Sequence, residues 1–193
     1  MINIAVLVSG RGSNLQAIIN ACKRKEITGK VVVVISNNEN ALALKIAQKE
    51  GIKTFYLKDE KSILEVLRKF SVHLIALAGY MKLISKDFIS KYRYKIINIH
   101  PSLLPSFKGL DAQKQAFEYG VKVTGATVHF VDEGMDTGPI ILQSPVIVKR
   151  EDTLETLALR ILQEEHKLYP KAIELFAQRK LKIVGRKVKI LMN

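Results

Sequence analysis

The chain has 193 residues, 48% of them apolar and 25% charged, a profile that fits one ordinary soluble globular domain with a full core. A single cysteine, Cys22, excludes an intramolecular disulfide; no CxxC pair or Cys/His cluster suggests zinc, and no apolar run approaches the ~20 residues of a membrane span. The net charge of +13, from 31 basic and 18 acidic residues, raises nucleic-acid binding, but the basic residues are scattered and read better as a Lys-rich surface, so no nucleic-acid partner is expected.

The first expected element is a strand, Asn3 to Val8. Its apolar run is too short for a signal peptide, so the cytoplasm is the expected compartment. Ile4-Ala5-Val6-Leu7-Val8 is continuously apolar, as in a strand buried on both faces. Leu15, Ile18, Ile19 and Cys22 then recur at helical spacing up to Lys23. Val31 to Ile35 reads as a second buried strand, closed by Ser36-Asn37-Asn38. A helix from Ala41 to Glu50 stops at Gly51, and a short strand follows from Thr54 to Leu57. Ile63, Val66, Leu67 and Phe70 share one face of a helix from about Ser62. Two further strands, His73 to Ala78 and Lys95 to Ile99, flank a short helix around Ser85 to Tyr92.

From Val121 the character changes. Val121 to Phe130 and Ile140 to Lys149 are strand-like and joined by a Gly-rich loop. Asp152-Thr153-Leu154-Glu155 reads as a capping box opening a long helix with Leu154, Leu157, Ala158, Ile161 and Leu162 on one stripe. Pro170 is expected to kink or break it. At the end, Arg179, Lys180, Lys182, Arg186, Lys187 and Lys189 alternate with Leu181, Ile183, Val188 and Ile190, as in a strand pair with a solvated outer face. The expected fold class is α/β: an open, mostly parallel, Rossmann-like twisted sheet with helices on both faces and a C-terminal mixed or antiparallel extension.

Three polar segments interrupt this pattern. Ser9-Gly10-Arg11-Gly12-Ser13-Asn14-Leu15-Gln16 joins the first strand to the first helix. A helix N-terminus with free N–H groups suits a phosphate, and glycines allow close approach. The alternative is a plain turn with Ser13 and Gln16 as a capping box. The second segment is Asn98-Ile99-His100-Pro101-Ser102-Leu103-Leu104-Pro105. Residues two apart on a strand share a face, so Asn98 and His100 can aim at one point, an amide donor for an oxyanion beside a proton carrier. Pro101 and Pro105 stiffen the loop beyond the strand.

The third segment, Asp132 to Pro139, carries Asp132, Glu133 and Asp136 among Gly134, Met135 and Gly138. A carboxylate there could stand beside the imidazole, raise its pKa and favour its charged form. Against this, the loop could be a solvated hairpin connection, and EF-hand spacing is absent. His73 and His129 read as structural or core residues. By periodicity alone Glu165 and His166 read as ordinary helix-surface residues.

Together these segments resemble the folate-dependent phosphoribosylglycinamide formyltransferases of purine synthesis. The resemblance is carried by Ser9 to Ala17, Leu77-Ala78-Gly79-Tyr80-Met81, Asn98 to Pro105, His129-Phe130-Val131 with Asp136, and Glu165-His166-Lys167-Leu168-Tyr169-Pro170. It implies a single domain, 1–193, with a phosphate- and nucleotide-binding half (1–100) and a folate-loop and C-terminal half (101–193). It implies 10-formyltetrahydrofolate as co-substrate, glycinamide ribonucleotide as acceptor, no metal, and a monomer or homodimer. Gly12, Ser13 and Asn14 would hold the substrate phosphate, and Glu165 would bind near its amine. Met81, Lys82, Leu83 and Ile84 would line the pterin pocket, with Asn98 and Asp132, Glu133, Gly134, Met135 and Asp136 contacting the folate. Asn98, His100 and Asp136 would be the catalytic trio, and the Leu104–Pro105 peptide would be cis.

The chain departs from that pattern in the short segment between Leu57 and Ser71, which lacks an arginine that some relatives use toward the folate, and at Lys82, Asp111 and Gln113. Rival readings are methionyl-tRNA formyltransferase, which normally has an added C-terminal domain, formyltetrahydrofolate hydrolase, which usually has an N-terminal one, and a non-enzymatic nucleotide- or RNA-binding protein on the same scaffold.

Overall fold

The computed structural model describes residues 1–191; the last two residues of the expected C-terminal half, 192 and 193, lie outside the described residues. Strands β1 (Ile2–Val8), β2 (Gly29–Ser36), β3 (Lys53–Tyr56), β4 (Leu74–Leu77), β5 (Ile96–His100), β6 (Val123–Phe130) and β7 (Ile140–Ile147) form one sheet in the order β3-β2-β1-β4-β5-β6-β7. The first five run parallel, and β6 and β7 are antiparallel. This is the expected doubly wound sheet with its mixed extension. The strand order reverses between β1 and β4, the position where such sheets open a crevice for ligands.

The apolar runs explain why the sheet is buried on both faces. Ile4, Val6 and Val8 of β1 point to one cluster, and Ala5 and Leu7 to the other. Helices α1 (Ser13–Lys23) and α2 (Leu42–Lys49) cover the first face, and α3 (Glu60–Lys69) and α4 (Lys86–Lys91) the second. A helix absent from the sequence reading, α5 (Ala112–Tyr119), follows β5. Its buried residues are only Ala112 and Ala116, so its apolar stripe is faint; Gly120 at its C-cap, φ 80°, is the readable signal.

The long helix α6 (Leu154–Ala177) continues through Pro170 without the expected break. Pro170 is itself buried, and Ile161 and Leu168 before it and Ala172 and Ile173 after it are also buried. Packing on both sides holds the helix where propensity alone would end it. Tyr169 is fully buried, and its hydroxyl is shared between the Leu77 and Ile97 carbonyls at 2.9 and 3.0 Å, pinning α6 to β4 and β5. The cap at the helix start lies one residue later than expected: Thr153 accepts from the Thr156 N–H, and the Thr156 hydroxyl accepts from the Thr153 N–H. A separate hairpin, β8 (Leu181–Val184) with β9 (Lys187–Ile190), comes after α6 as expected, its Leu181, Ile183 and Val188 packed on the main core. Among the described residues no helix is long and apolar enough to cross a membrane.

Candidate active site

The face of β5 and β6 turned away from the main core is polar. Ile97 and Ile99 enter the core, so Asn98 and His100 point the other way. On β6, Val128 and Phe130 enter the core while His129 sits opposite Asn98 in register. Asp136, from the β6–β7 loop, meets all three side chains. His100 Nδ1 lies 3.4 Å from Asp136 Oδ2, and the Asn98 amide nitrogen lies 3.5 Å from Asp136 Oδ1 and 3.3 Å from His129 Nε2. The structure therefore brings Asn98, His100 and Asp136 together, and it adds His129, which sequence alone assigns to the core.

The two loops over this cluster are tightly specified. The Thr127 hydroxyl donates to the Ser102 carbonyl at 2.7 Å and accepts from the Leu104 N–H at 3.1 Å. Ser102 in turn donates to the Ser106 carbonyl, and the Leu104–Pro105 peptide is cis, as the resemblance implies. In the other loop the Asp132 carboxylate accepts from the Thr137 hydroxyl at 2.6 Å. Gly138 passes so close to the Phe130 carbonyl that a Cβ there would lie 1.7 Å from its oxygen. Asp136 itself has a left-handed φ of 51°, an unfavourable state that persists only when its surroundings over-determine it.

The protons in this cluster follow from the acceptors around it. His129 Nδ1 lies 2.8 Å from the Phe130 carbonyl, and its Nε2 faces both the Asn98 amide nitrogen at 3.3 Å and Asp136 Oδ1 at 3.6 Å. His100 Nε2 lies 2.8 Å from the Phe107 carbonyl, so its Nε2 is a donor and the titrating proton belongs on Nδ1, facing Asp136. The expected upward push of a carboxylate on this imidazole is present, but it does not set the net direction. Burial lowers the His100 pKa and outweighs the upward push of the Phe107 carbonyl and Asp136. Burial also raises Asp136, but the His129 contact, the Gly109 N–H at 2.8 Å and the neighbouring imidazoles outweigh it and hold the carboxyl below its ordinary value. Asp136 is thus a fixed anion, and His100 is a neutral base that can become a cation against it.

The Ser9–Asn14 turn lies at the carboxyl end of β1 beside the sheet reversal. Gly12, φ 84°, is the N-cap of α1, and no side chain caps it. A Cβ on Gly12 would meet Ala43 of α2 at 2.8 Å, so both its backbone and its packing demand glycine. The expected Ser13–Gln16 capping box is absent: Ser13 lies inside the helix, and Gln16 donates to Asn20 instead. The first turn carries no acidic residue, so its free N–H groups and positive dipole end are open to an anion. Ser9 fastens the turn to its neighbours, donating to Asn37 at 2.6 Å and accepting from the Met81 N–H at 2.8 Å.

Glu165 is buried at 5% exposure, which corrects its reading as a surface residue. It lies one turn beyond Ile161, on the continuation of the apolar stripe, and there it accepts from the Asn14 amide at 2.7 Å. Burial raises its pKa, opposed by that hydrogen bond and by Arg11. Asn14 Oδ1 is buried with no hydrogen-bond partner among the described residues, an acceptor that suits a hydroxyl or an amine of a ligand. Toward a phosphate, Asn14 therefore offers its backbone N–H.

Other candidates are dispersed. Met81 and Leu83, at the carboxyl end of β4, are 70% and 73% exposed, and Met135 is 52% exposed, apolar surface suited to a flat ring. Ile84 is packed on the second core cluster, and Lys82 donates to the Lys58 carbonyl. Glu133 is ion-paired with Lys86 at the surface, away from the trio. A groove of about 380 Å³ lies elsewhere, at the amino ends of the strands, lined by Ile2, His73, Tyr94, Phe176 and Leu181 among others, and it holds none of these residues.

A doubly wound sheet carrying an amide donor, a buried imidazole and a fixed carboxylate defines an α/β enzyme equipped for acyl transfer. The Formyl transferase family matches residues 2–173, and the chain belongs to that family. Over 183 residues it is 45% identical to the phosphoribosylglycinamide formyltransferase of Bacillus subtilis, covering 90% of this chain and 94% of that one. It is 46% identical to the trifunctional purine biosynthetic protein adenosine-3 of Bos taurus over 90% of its length, but spans only 18% of that longer protein. The crystal structure of glycinamide ribonucleotide transformylase 1 from Symbiobacterium toebii superposes with a TM-score of 0.96 at 48% identity, covering 100% of this chain and 95% of that one.

Proposed function

We propose that this protein transfers the formyl group of 10-formyltetrahydrofolate to the amine of glycinamide ribonucleotide, a cytoplasmic step of purine (IMP) biosynthesis. The observation that carries the reading is the convergence of Asn98, His100 and Asp136 within 3.5 Å contacts on a chain 45% identical to a phosphoribosylglycinamide formyltransferase. The uncapped start of α1 takes the ribonucleotide phosphate on the N–H groups of Gly12, Ser13 and Asn14. Glu165 and the unpaired Asn14 Oδ1 receive the glycinamide end. The exposed Met81, Leu83 and Met135 pack on the pterin ring, with Ile84 behind them, while Lys82 and Asp132 to Asp136 border it.

The chemistry is a direct acyl transfer. The Asn98 amide, held by long contacts to His129 at 3.3 Å and Asp136 at 3.5 Å, turns to the formyl oxygen as negative charge develops there. His100 takes the proton released by the attacking amine on Nδ1 and becomes the imidazolium that faces the oxyanion. Asp136 stabilises that cation, and His100 Nδ1 returns the proton, through a water, to the departing folate nitrogen. The bond to the folate breaks, a formamide remains on the ribonucleotide, and no covalent enzyme adduct forms.

The test mixes the protein with glycinamide ribonucleotide and the 10-formyl folate and measures deformylated folate by absorbance. Release that requires the ribonucleotide supports the reading. Release without it indicates a hydrolase, and no release overturns the proposal, with transfer to methionyl-tRNA tested next.

A further inference from the structure

We propose that Arg186, at the tip of the C-terminal hairpin, is a positioning residue for the Asp136 loop. Its guanidinium donates to the Thr137 carbonyl at 2.7 Å, across 49 residues of sequence. Thr137 is the residue next to Asp136, and its hydroxyl is already committed to Asp132. The arginine therefore clamps the backbone of a residue whose side chain is held from the other side. Between the close approach at Gly138 and the left-handed Asp136, the Thr137 peptide ties the loop to the C-terminal hairpin, in addition to the Gly109 and Lys86 contacts.

The hairpin is built to carry such a strut. Its connection is only two residues, Gly185 and Arg186, between paired strands. Leu181, Ile183 and Val188 pack on the main core, and the Leu191 N–H donates back to the Lys180 carbonyl at 2.8 Å. A rigid base thus holds an otherwise solvent-exposed arginine in one place. An exposed single hydrogen bond contributes little to global stability. Its consequence is local: it holds the strained backbone that aims Asp136 at His100 and Asn98. This inference deepens the proposed function, because it concerns the carboxylate assigned to that chemistry.

The experiment compares Arg186→Ala and Arg186→Lys with the unchanged chain by two readouts. Amide hydrogen exchange across 131–139 reports the loop itself and needs no activity. Arg186→Ala is expected to speed exchange there about tenfold while α6 and β1 amides keep their rates, with the melting temperature nearly unchanged. In formyl transfer, kcat is expected to fall about tenfold with the ribonucleotide KM altered less than twofold, and Arg186→Lys, which keeps one donor, to recover much of both. Unchanged loop exchange in Arg186→Ala overturns the proposal, as does faster exchange spread over the whole hairpin and core. An unchanged chain without transfer activity overturns the functional reading instead, and the exchange data still decide the role of Arg186.

Discussion

Two polar loops border the candidate site, and they are held in opposite ways. The Ser9–Asn14 turn is shaped by backbone: a left-handed Gly12 starts a helix that no side chain caps, leaving donors free. The loop from Asp132 to Pro139 is shaped by many partners at once: Asp132 on Thr137, Gly138 against Phe130, the Gly109 N–H on Asp136, and Arg186 on the Thr137 carbonyl. The first offers unsatisfied groups to an anion; the second fixes one carboxylate against two imidazoles. A site that must admit a charged substrate and also place a reacting proton uses both designs.

The sharpest way to break this contrast is at the second loop's reacting end. His100→Ala and Asp136→Asn are each expected to lower kcat by roughly 10²–10⁴-fold in the folate absorbance assay, while the ribonucleotide KM stays within a few-fold. A KM effect with kcat retained would move these residues from chemistry to binding.

Next in size is the backbone itself. Gly138→Ala is expected to destabilise the chain by about 3 kcal/mol, because its Cβ meets a carbonyl that cannot move without parting β6 from the loop. Gly12→Ala is expected to cost about 2 kcal/mol, adding a left-handed penalty to a clash with Ala43. Urea denaturation measures both. Gly12→Ala should also weaken ribonucleotide binding, whereas Gly138→Ala should act on turnover.

Glu165→Gln sharpens the first loop's side. The ribonucleotide KM is expected to rise roughly tenfold, the loss of a charged hydrogen bond to the amine. Stability should hold or rise. Burial raises the Glu165 pKa, so the folded state disfavours the ionised form. The stability tied to the protonated form is complete below the unfolded value of ~4.3 and is lost as pH rises through the folded-state pKa, so the advantage of Gln grows over that window. Melting curves of the two chains from pH 4 to 8 check the sign.

The smallest expected effect is on acid stability. The His100 pKa is lowered, so its contribution is present above ~6.5 and lost as pH falls through the folded-state value. His100→Gln should therefore lose less stability than the unchanged chain between pH 7 and 5, read by melting curves at the two pH values.

The contrast also explains how much is legible in the sequence. Strands such as Ile4 to Val8 and the sharing of a face by Asn98 and His100 follow from period and composition, which are local. So does the hairpin of alternating Lys and Ile near the end. The features that escape it depend on contacts far along the chain. Glu165 reads as surface until the stripe through Ile161 is extended by a turn and Asn14 is brought to it across 151 residues. His129 reads as core because it sits in an apolar strand; only folding puts Asn98 and Asp136 beside it. Pro170 ends a helix by local rules, and Tyr169 and Ile173 override them by burial. The Ser13–Gln16 cap does not form because Gly12, once left-handed, starts the helix one residue early. The charged state of His100 escapes because sequence supplies the neighbouring carboxylate but not the burial that outweighs it.

The most direct test is to measure kcat and the ribonucleotide KM for Asp136→Asn and Glu165→Gln in one formyl-transfer assay with saturating folate. The account predicts a large fall in kcat for Asp136→Asn at nearly constant KM, and a raised KM with most of kcat retained for Glu165→Gln. Asp136→Asn turning over at the rate of the unchanged chain would contradict it.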